Sequence, residues 1–177
     1  MNDALLLVDV INDFRHEDGD ALLRSYRERH GGLVAAIGRA RERGIPVIYA
    51  NDNVGVWDGD APGLVRHAIE RGKGGDLVAA VAPRPGDQFV VKPRYSAFDQ
   101  TPLEILLRGL EVERILLAGT ATEMCVAQTA IAGRELGFKI SVVTTACAST
   151  DPHLEAISLD YLENVVGARL ETELPAG

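Results

Sequence analysis

Three side chains that could carry out covalent chemistry each follow a short apolar run of the sequence. Asp9 comes directly after ALLLV, Lys92 ends QFVVK, and Cys125 lies five residues beyond ILLAGT. A carboxylate, an ammonium and a thiol are the parts of an activated nucleophile, with the carboxylate as base and the ammonium as positioning group. If the three side chains meet, the chemistry would be nucleophilic attack by the cysteine sulfur.

Each of these residues also has a structural interpretation when it is taken alone. Asp9 could cap a loop, because Asp favours hydrogen bonds to nearby backbone. Lys92 could extend its ammonium to water, and Cys125 could be a small buried hydrophobe. The position of Cys125 near a predicted helix N-terminus, however, favours a thiolate and provides N–H groups that could stabilise an oxyanion.

The elements that must position these residues alternate along the whole chain. Continuous apolar runs, typical of strands buried on both faces, occupy residues 4–8, 45–50, 89–91, 115–118 and 140–143, with a weaker sixth at 165–169. Helix-period segments occupy residues 22–43, 61–80 in pieces, 102–109, 123–136 and 152–162. The sequence therefore predicts a single α/β domain over residues 1–177, a doubly wound, mainly parallel sheet of five or six strands with helices on both faces.

Ligands bind outside the carboxyl ends of the strands in such a sheet, so the three reactive residues are expected at one edge. The segment that leaves the second strand contains Asn53 and Trp57, and we expect it to wall the same pocket, a plain surface loop being the alternative. Cys147, after the fifth strand, has no acid or base beside it in the sequence and is expected to be a packed thiol. The four histidines have no metal-ligand spacing and are expected on the surface or in loops.

Charge and composition exclude several classes of partner. The 177 residues include 26 acidic and 18 basic side chains, a formal net charge of −8. Nucleic acid and anionic membranes require clustered Lys and Arg, so neither is an expected partner. The two cysteines suit a reducing compartment, and no apolar run approaches the length of a membrane span or a signal peptide. We therefore expect a cytoplasmic protein that acts on a small molecule.

Three segments of the chain resemble the isochorismatase-like cysteine hydrolases, the superfamily of the nicotinamidases and N-carbamoylsarcosine amidase. They are LLLVDVINDF at residues 5–14, VVKPRYSAF at 90–98 and LAGTATEMCVAQTA at 117–130. The resemblance implies a catalytic triad of Asp9, Lys92 and Cys125. It also implies a cis peptide bond at Thr120–Ala121 and an oxyanion hole formed by the amides of Ala121 and Cys125.

The resemblance also implies residues of the substrate pocket. Phe14, Ser96 and Phe98 match pocket positions of the family, although Phe14 could equally belong to the core, and Thr122 is expected beside them. Nicotinamidases hold a metal through an Asp-x-His segment after the second strand and a second histidine further on. This chain has Asn51-Asp52-Asn53 there and only His67 downstream, so we expect neither a metal nor nicotinamide as the natural substrate.

The function that these expectations favour is cofactor-free hydrolysis of an amide or ureido C–N bond through a cysteine thioester. One alternative is vinyl-ether hydrolysis of the isochorismatase type, which does not depend on a cysteine. Another is a non-catalytic ligand-binding or thiol-sensing protein on the same fold. Family members commonly form homodimers or homotetramers, so the resemblance also implies a homo-oligomer.

Overall fold

The computed structural model describes residues 2–53, 55 and 60–175. Its strands are β1 (Asp3–Val8), β2 (Val47–Asp52), β3 (Gln88–Lys92), β4 (Arg114–Thr120), β5 (Lys139–Ala148) and β6 (Arg169–Glu171). Its helices are α1 (Gly19–Glu42), α2 (Ala61–Arg71), α3 (Gly75–Ala80), α4 (Leu103–Gly109), α5 (Ala127–Glu135) and α6 (Pro152–Tyr161). One π-helical turn, Thr122–Val126, precedes α5, and a second, Leu162–Val166, follows α6. No helix in the described ranges is both long and apolar enough to cross a membrane.

The six strands form one sheet in the order β3-β2-β1-β4-β5-β6, and every neighbouring pair is parallel. Alternate residues of a strand point to opposite faces, and here both faces are apolar. In β1, Leu5 and Leu7 pack into a core with α1, α2 and α3, whereas Leu6 and Val8 pack into a second core with α4 and α5. The predicted doubly wound α/β class is therefore confirmed.

The two largest boundary differences from the sequence prediction concern β6 and β5. The sixth strand begins at Arg169, because residues 162–166 continue α6 as a π-helical turn that ends at Gly167, which has a φ of 75°. Strand β5 extends to Ala148, so Cys147 lies inside the strand and is fully buried, as a packed thiol. The prediction that Cys147 follows the strand was therefore wrong, whereas its burial agrees with the expected packed thiol.

The strand register brings the carboxyl ends of β1, β2, β3 and β4 level with one another. Val8 pairs with Gly119 of β4, and Asp52 of β2 pairs with Lys92 of β3. Gly119 has a φ of 130°, and a Cβ atom there would lie 2.0 Å from the Val8 carbonyl oxygen. Only glycine therefore allows β4 to approach β1 this closely at the edge where the reactive residues stand.

Candidate functional site

Asp9 is the first residue beyond β1, and backbone contacts fix its orientation. Its φ of 49° is one that Asp tolerates better than most residues, and its N–H donates to the Ala50 carbonyl oxygen at 3.0 Å. The hydroxyl of Thr120 donates to the Asp9 carbonyl oxygen at 3.0 Å, and the amide of Asp52 donates to Oδ1 at 2.7 Å. The second carboxylate oxygen is thereby left to face Lys92.

Lys92 has no solvent exposure, so its ammonium does not extend to water as one interpretation of the sequence allowed. Its Nζ lies 2.8 Å from Oδ2 of Asp9, 3.0 Å from the Arg94 carbonyl oxygen and 3.5 Å from Sγ of Cys125. These three contacts match the three hydrogens of an ammonium group. The structure therefore brings Asp9, Lys92 and Cys125 into one cluster.

Cys125 lies in the π-helical turn between β4 and α5, and the peptide bond that precedes this turn, Thr120–Ala121, is cis. The Thr129 hydroxyl donates to the Cys125 carbonyl oxygen at 2.6 Å and accepts from the Ala97 amide at 3.0 Å. Thr129 therefore ties the segment after β3 to the turn that holds the thiol. Its location four residues beyond Cys125 on α5 gave no separate signal in the sequence.

The electrostatics of the cluster differ from the expectation of a resting thiolate. Burial, together with the Asp9 carboxylate, raises the pKa of the Cys125 thiol to about 12, and Lys92 opposes this only in part. Burial also raises the pKa of the Asp9 carboxyl, despite the opposing Lys92 ammonium and a hydrogen bond with Cys125. Burial lowers the pKa of Lys92, but Asp9 and Cys125 more than offset this, so its pKa is raised. Near neutral pH the sulfur is therefore a thiol, beside a carboxyl group of increased basicity.

A cavity of about 570 Å³ opens beside the sulfur of Cys125. Its wall includes Cys125 and three residues from the ends of β1 and β4, namely Asp9, Thr120 and Ala121. Its remaining described lining residues come from the end of β2, the segments after β1, β3 and β5, the first turn of α1 and the π-helical turn before α5: Ile11, Asn12, Asp13, Arg15, His16, Asp18, Leu22, Asn51, Asp52, Tyr95, Met124 and Thr150. The volume suits a small molecule, and Cys125 is part of the cavity wall.

Three residues expected in the pocket lie elsewhere. Phe14 is fully buried in the core, with its ring 5.2 Å from that of Tyr26, and Phe98 stacks 6.0 Å from Phe138 in the other core. The Thr122 hydroxyl points to the Ala148 carbonyl oxygen and the Glu155 carboxylate, away from the cavity. In each case an apolar or hydrogen-bonded neighbour inside the protein holds the side chain.

The other three expected pocket residues have different outcomes. Ser96 lies in a depression of about 470 Å³ whose walls include Asp52 and Tyr95, which also line the main cavity. Asn53 is 5% exposed, and its Oδ1 accepts from the Gly55 amide. Trp57 lies outside the residues that the structure describes.

Sequence reasoning missed several residues that line the cavity. Thr150 follows β5 closely, and the rule that placed Asp9 and Lys92 could have found it too. His16, expected in a loop or on the surface, is exposed and also lines the cavity. Met124 lies within a segment that carries the resemblance, but nothing in its type distinguished it from an ordinary surface residue.

The residues at the carboxyl end of β2 do not fit the metal site of the nicotinamidases. Asn51 Oδ1 accepts from the Ile11 amide at 3.0 Å and its Nδ2 donates to the Ile11 carbonyl oxygen at 2.9 Å. Both side-chain atoms are therefore committed to holding the segment after β1. Among the described residues, no group of three or more His, Cys, Asp or Glu side chains could hold a metal ion.

Comparison with known proteins shows what this chain is similar to in sequence and fold. Residues 3–173 match the family model described as Isochorismatase domain. The chain is 33% identical to the uncharacterized isochorismatase family protein YaaI of Bacillus subtilis (strain 168) over 171 residues, 96% of this chain and 93% of that protein. The nicotinamidase SaPncA from Staphylococcus aureus superimposes with a TM-score of 0.76 at 26% identity, over 98% of this chain and 99% of that one. The N-carbamoylsarcosine amidase from Thermoplasma acidophilum superimposes with a TM-score of 0.75 at 28% identity, over 100% of both chains.

Proposed function

Because the chain belongs to the isochorismatase family and is a hydrolase, we propose that it cleaves an amide or ureido C–N bond of a small molecule through a thioester on Cys125. The observation that carries this proposal is the position of the Lys92 ammonium, 2.8 Å from the Asp9 carboxylate and 3.5 Å from the Cys125 sulfur. Relatives described as nicotinamidase and N-carbamoylsarcosine amidase support cleavage of C–N bonds.

The first step is proton transfer from the Cys125 thiol to the Asp9 carboxylate. Because burial raises the pKa of the thiol to about 12, the sulfur needs a base, and the raised pKa of Asp9 makes that carboxylate a better one. The Lys92 ammonium stabilises the thiolate as the negative charge moves from Asp9 to the sulfur. The charge of the buried cluster is unchanged throughout, so the transfer needs no ion from solvent.

The thiolate then attacks the carbonyl carbon of the substrate. In this proposal the backbone amides of Ala121 and Cys125 stabilise the tetrahedral oxyanion, and one such donor is typically worth about 10²–10³ in rate. Collapse of the intermediate breaks the C–N bond, and the leaving ammonia or amine takes the proton that Asp9 holds. Asp9 then activates a water molecule that hydrolyses the thioester, so the products are an acid and ammonia or an amine.

Ammonia release from a panel of primary amides and ureides tests this proposal with Cys125→Ala. The expected result is turnover by the wild-type protein and a loss of at least about 10³-fold in the variant, because the nucleophile is absent. Cys147→Ala is the matched control, since that thiol is buried in β5 away from the cavity and its removal should leave turnover intact. Equal turnover by wild type and Cys125→Ala would overturn the thioester mechanism and favour hydrolysis of the isochorismatase type.

A further inference from the structure

The charged groups around the cavity are mostly acidic. The carboxylates that line it belong to Asp9, Asp13, Asp18 and Asp52. Arg15 is the one lining residue, among those described, with a permanent positive charge, and Lys92 lies behind Asp9. Four carboxyl groups thus stand against two permanent cations at the site, within a protein of formal net charge −8.

Several of these charges are already engaged by the protein. Lys92 neutralises Asp9. Asp13 lies 3.3 Å from the His67 ring, and the Nε of Arg15 donates to the Arg71 carbonyl oxygen at 2.6 Å. This hydrogen bond holds Nε of Arg15 at the end of α2, and because the Arg71 carbonyl is neutral it leaves the positive charge of Arg15 in place.

We propose that the cavity selects amides or ureides that are neutral or cationic apart from the scissile bond, and that it discriminates against substrates that carry a carboxylate or phosphate. This inference rests on the proposed function, because it takes the cavity beside Cys125 as the substrate site. Clefts lined by one sign of charge concentrate ligands of the opposite sign and exclude those of the same sign.

The negative charge of the cavity wall also favours release of the product. Hydrolysis converts a neutral amide or ureide into a carboxylic or carbamic acid, which is an anion near neutral pH. The substrate therefore enters without a charge penalty, whereas the acid product is repelled by the carboxylates of the cavity wall. Product inhibition by the acid should accordingly be weak at low ionic strength.

Two thiol reagents that share one reactive group but carry opposite charges test the electrostatic potential at Cys125. This test does not require turnover. In a Cys147→Ala background, the rates of modification by 2-(trimethylammonio)ethyl and 2-sulfonatoethyl methanethiosulfonate would be measured by intact-protein mass spectrometry. The rate with the cationic reagent is divided by the rate with the anionic reagent. This ratio is compared with the same ratio for the free thiol 2-mercaptoethanol, which is the reference. We expect a ratio about tenfold above the reference thiol at about 10 mM salt, falling toward it at about 0.5 M, where screening is strong.

Charge variants identify the residues responsible. Asp18→Asn, at the exposed rim, should lower the ratio by about twofold, and Arg15→Gln should raise it by a similar factor, as expected for single charges near water. Glu28→Gln is the matched control, because this exposed α1 residue does not line the cavity, and it should leave the ratio unchanged. Circular dichroism of each variant verifies that it is folded.

Two results would overturn the inference. A ratio equal to or below that of the reference thiol would show that the field at Cys125 is not negative, and failure of both reagents to modify Cys125 would show that the cavity does not lead to the thiol. Neither readout depends on a known substrate. Loss of the thioester mechanism in the ammonia-release test would therefore be distinguishable from loss of this inference.

Discussion

The Lys92 ammonium lies 2.8 Å from Oδ2 of Asp9, although their strands β3 and β1 are separated by β2 in the sheet. The contact reaches across the end of β2, where the Asp52 amide binds the other carboxylate oxygen at 2.7 Å. Three adjacent strand ends therefore define the position of one carboxylate. This arrangement connects the stability of the sheet edge with the chemistry of Cys125.

Lys92→Met tests that connection. It removes the cation from a buried pair and leaves the Asp9 carboxylate uncompensated, which typically destabilises a protein by about 3–5 kcal/mol. Urea denaturation should show this loss in the free energy of unfolding, and ammonia release should be abolished. The double variant Asp9→Asn/Lys92→Met should recover much of the stability but none of the activity, because both charges are then gone.

Lys139→Met is the matched control for Lys92→Met, since this lysine is exposed at the start of β5. Its substitution should change the free energy of unfolding by no more than about 0.5 kcal/mol. If Lys92→Met were as stable as this control, the pair would not be a buried ion pair in solution.

The reactivity of Cys125 toward iodoacetamide should follow a pKa well above that of an ordinary cysteine. Because burial and Asp9 raise the pKa of this thiol to about 12, alkylation should be slow at pH 7 and increase about tenfold per pH unit to beyond pH 10. Asp9→Asn removes a group that raises the pKa, so alkylation of this variant should be faster at pH 8. Peptide mapping by mass spectrometry assigns the label.

Lys92→Met should have the opposite effect on alkylation, because the ammonium stabilises the thiolate. The pKa of Cys147 is also raised to about 12 by burial, and this thiol has no exposure, so it serves as the internal reference that stays unlabelled. Rapid alkylation of Cys125 that is already at its plateau near pH 6 would contradict the prediction and indicate a resting thiolate.

The sequence predicts the position of a site residue best where that residue follows a continuous apolar run. Asp9 and Lys92 could be placed at one edge because parallel strands align their carboxyl ends, and this rule needs only the strand positions. The sequence left Phe14 open between pocket and core and placed Phe98 in the pocket, because whether an aromatic ring faces a cavity or a core depends on packing contacts across the sheet. The pKa of Cys125 was equally inaccessible, since helix position favoured a thiolate and only the structure reveals the burial that opposes it.

Gly119→Ala should prevent close pairing of β1 and β4 beside the site. The new Cβ would lie 2.0 Å from the Val8 carbonyl oxygen, and the φ of 130° is unfavourable for any residue with a Cβ. We expect a loss of more than about 3 kcal/mol in the free energy of unfolding or failure to fold, measured by urea denaturation and soluble yield.

Gly109→Ala is the matched control, because a Cβ at this position at the end of α4 would meet no atom within 4 Å. It should be neutral or slightly stabilising, since alanine restricts the unfolded chain and favours helix. Equal stability of the two variants would show that the close approach of Gly119 to Val8 does not limit the sheet in solution.

The hydroxyl of Thr122 holds the π-helical turn of Cys125 against β5 and α6. It lies 3.1 Å from the Ala148 carbonyl oxygen and 3.2 Å from Oε1 of Glu155, a buried carboxylate that also pairs with Arg29 at 3.4 Å. Thr122→Val keeps the shape but removes the hydrogen-bond donor, which should cost about 1–3 kcal/mol in stability. Because the turn carries the nucleophile, we also expect kcat to fall more than KM rises.

Thr122→Ser restores the hydroxyl and should recover kcat, whereas a variant that only loosened the core would not be rescued in this way. Thr145→Val makes the same substitution at a hydroxyl that donates to the Thr172 carbonyl oxygen far from Cys125. It should leave kcat unchanged. This control therefore distinguishes the effect of a lower overall stability from the effect of a displaced Cys125 thiol. An unchanged kcat in Thr122→Val, measured on the best amide of the ammonia-release panel, would mean that the cis peptide and α5 position the thiol without this hydrogen bond.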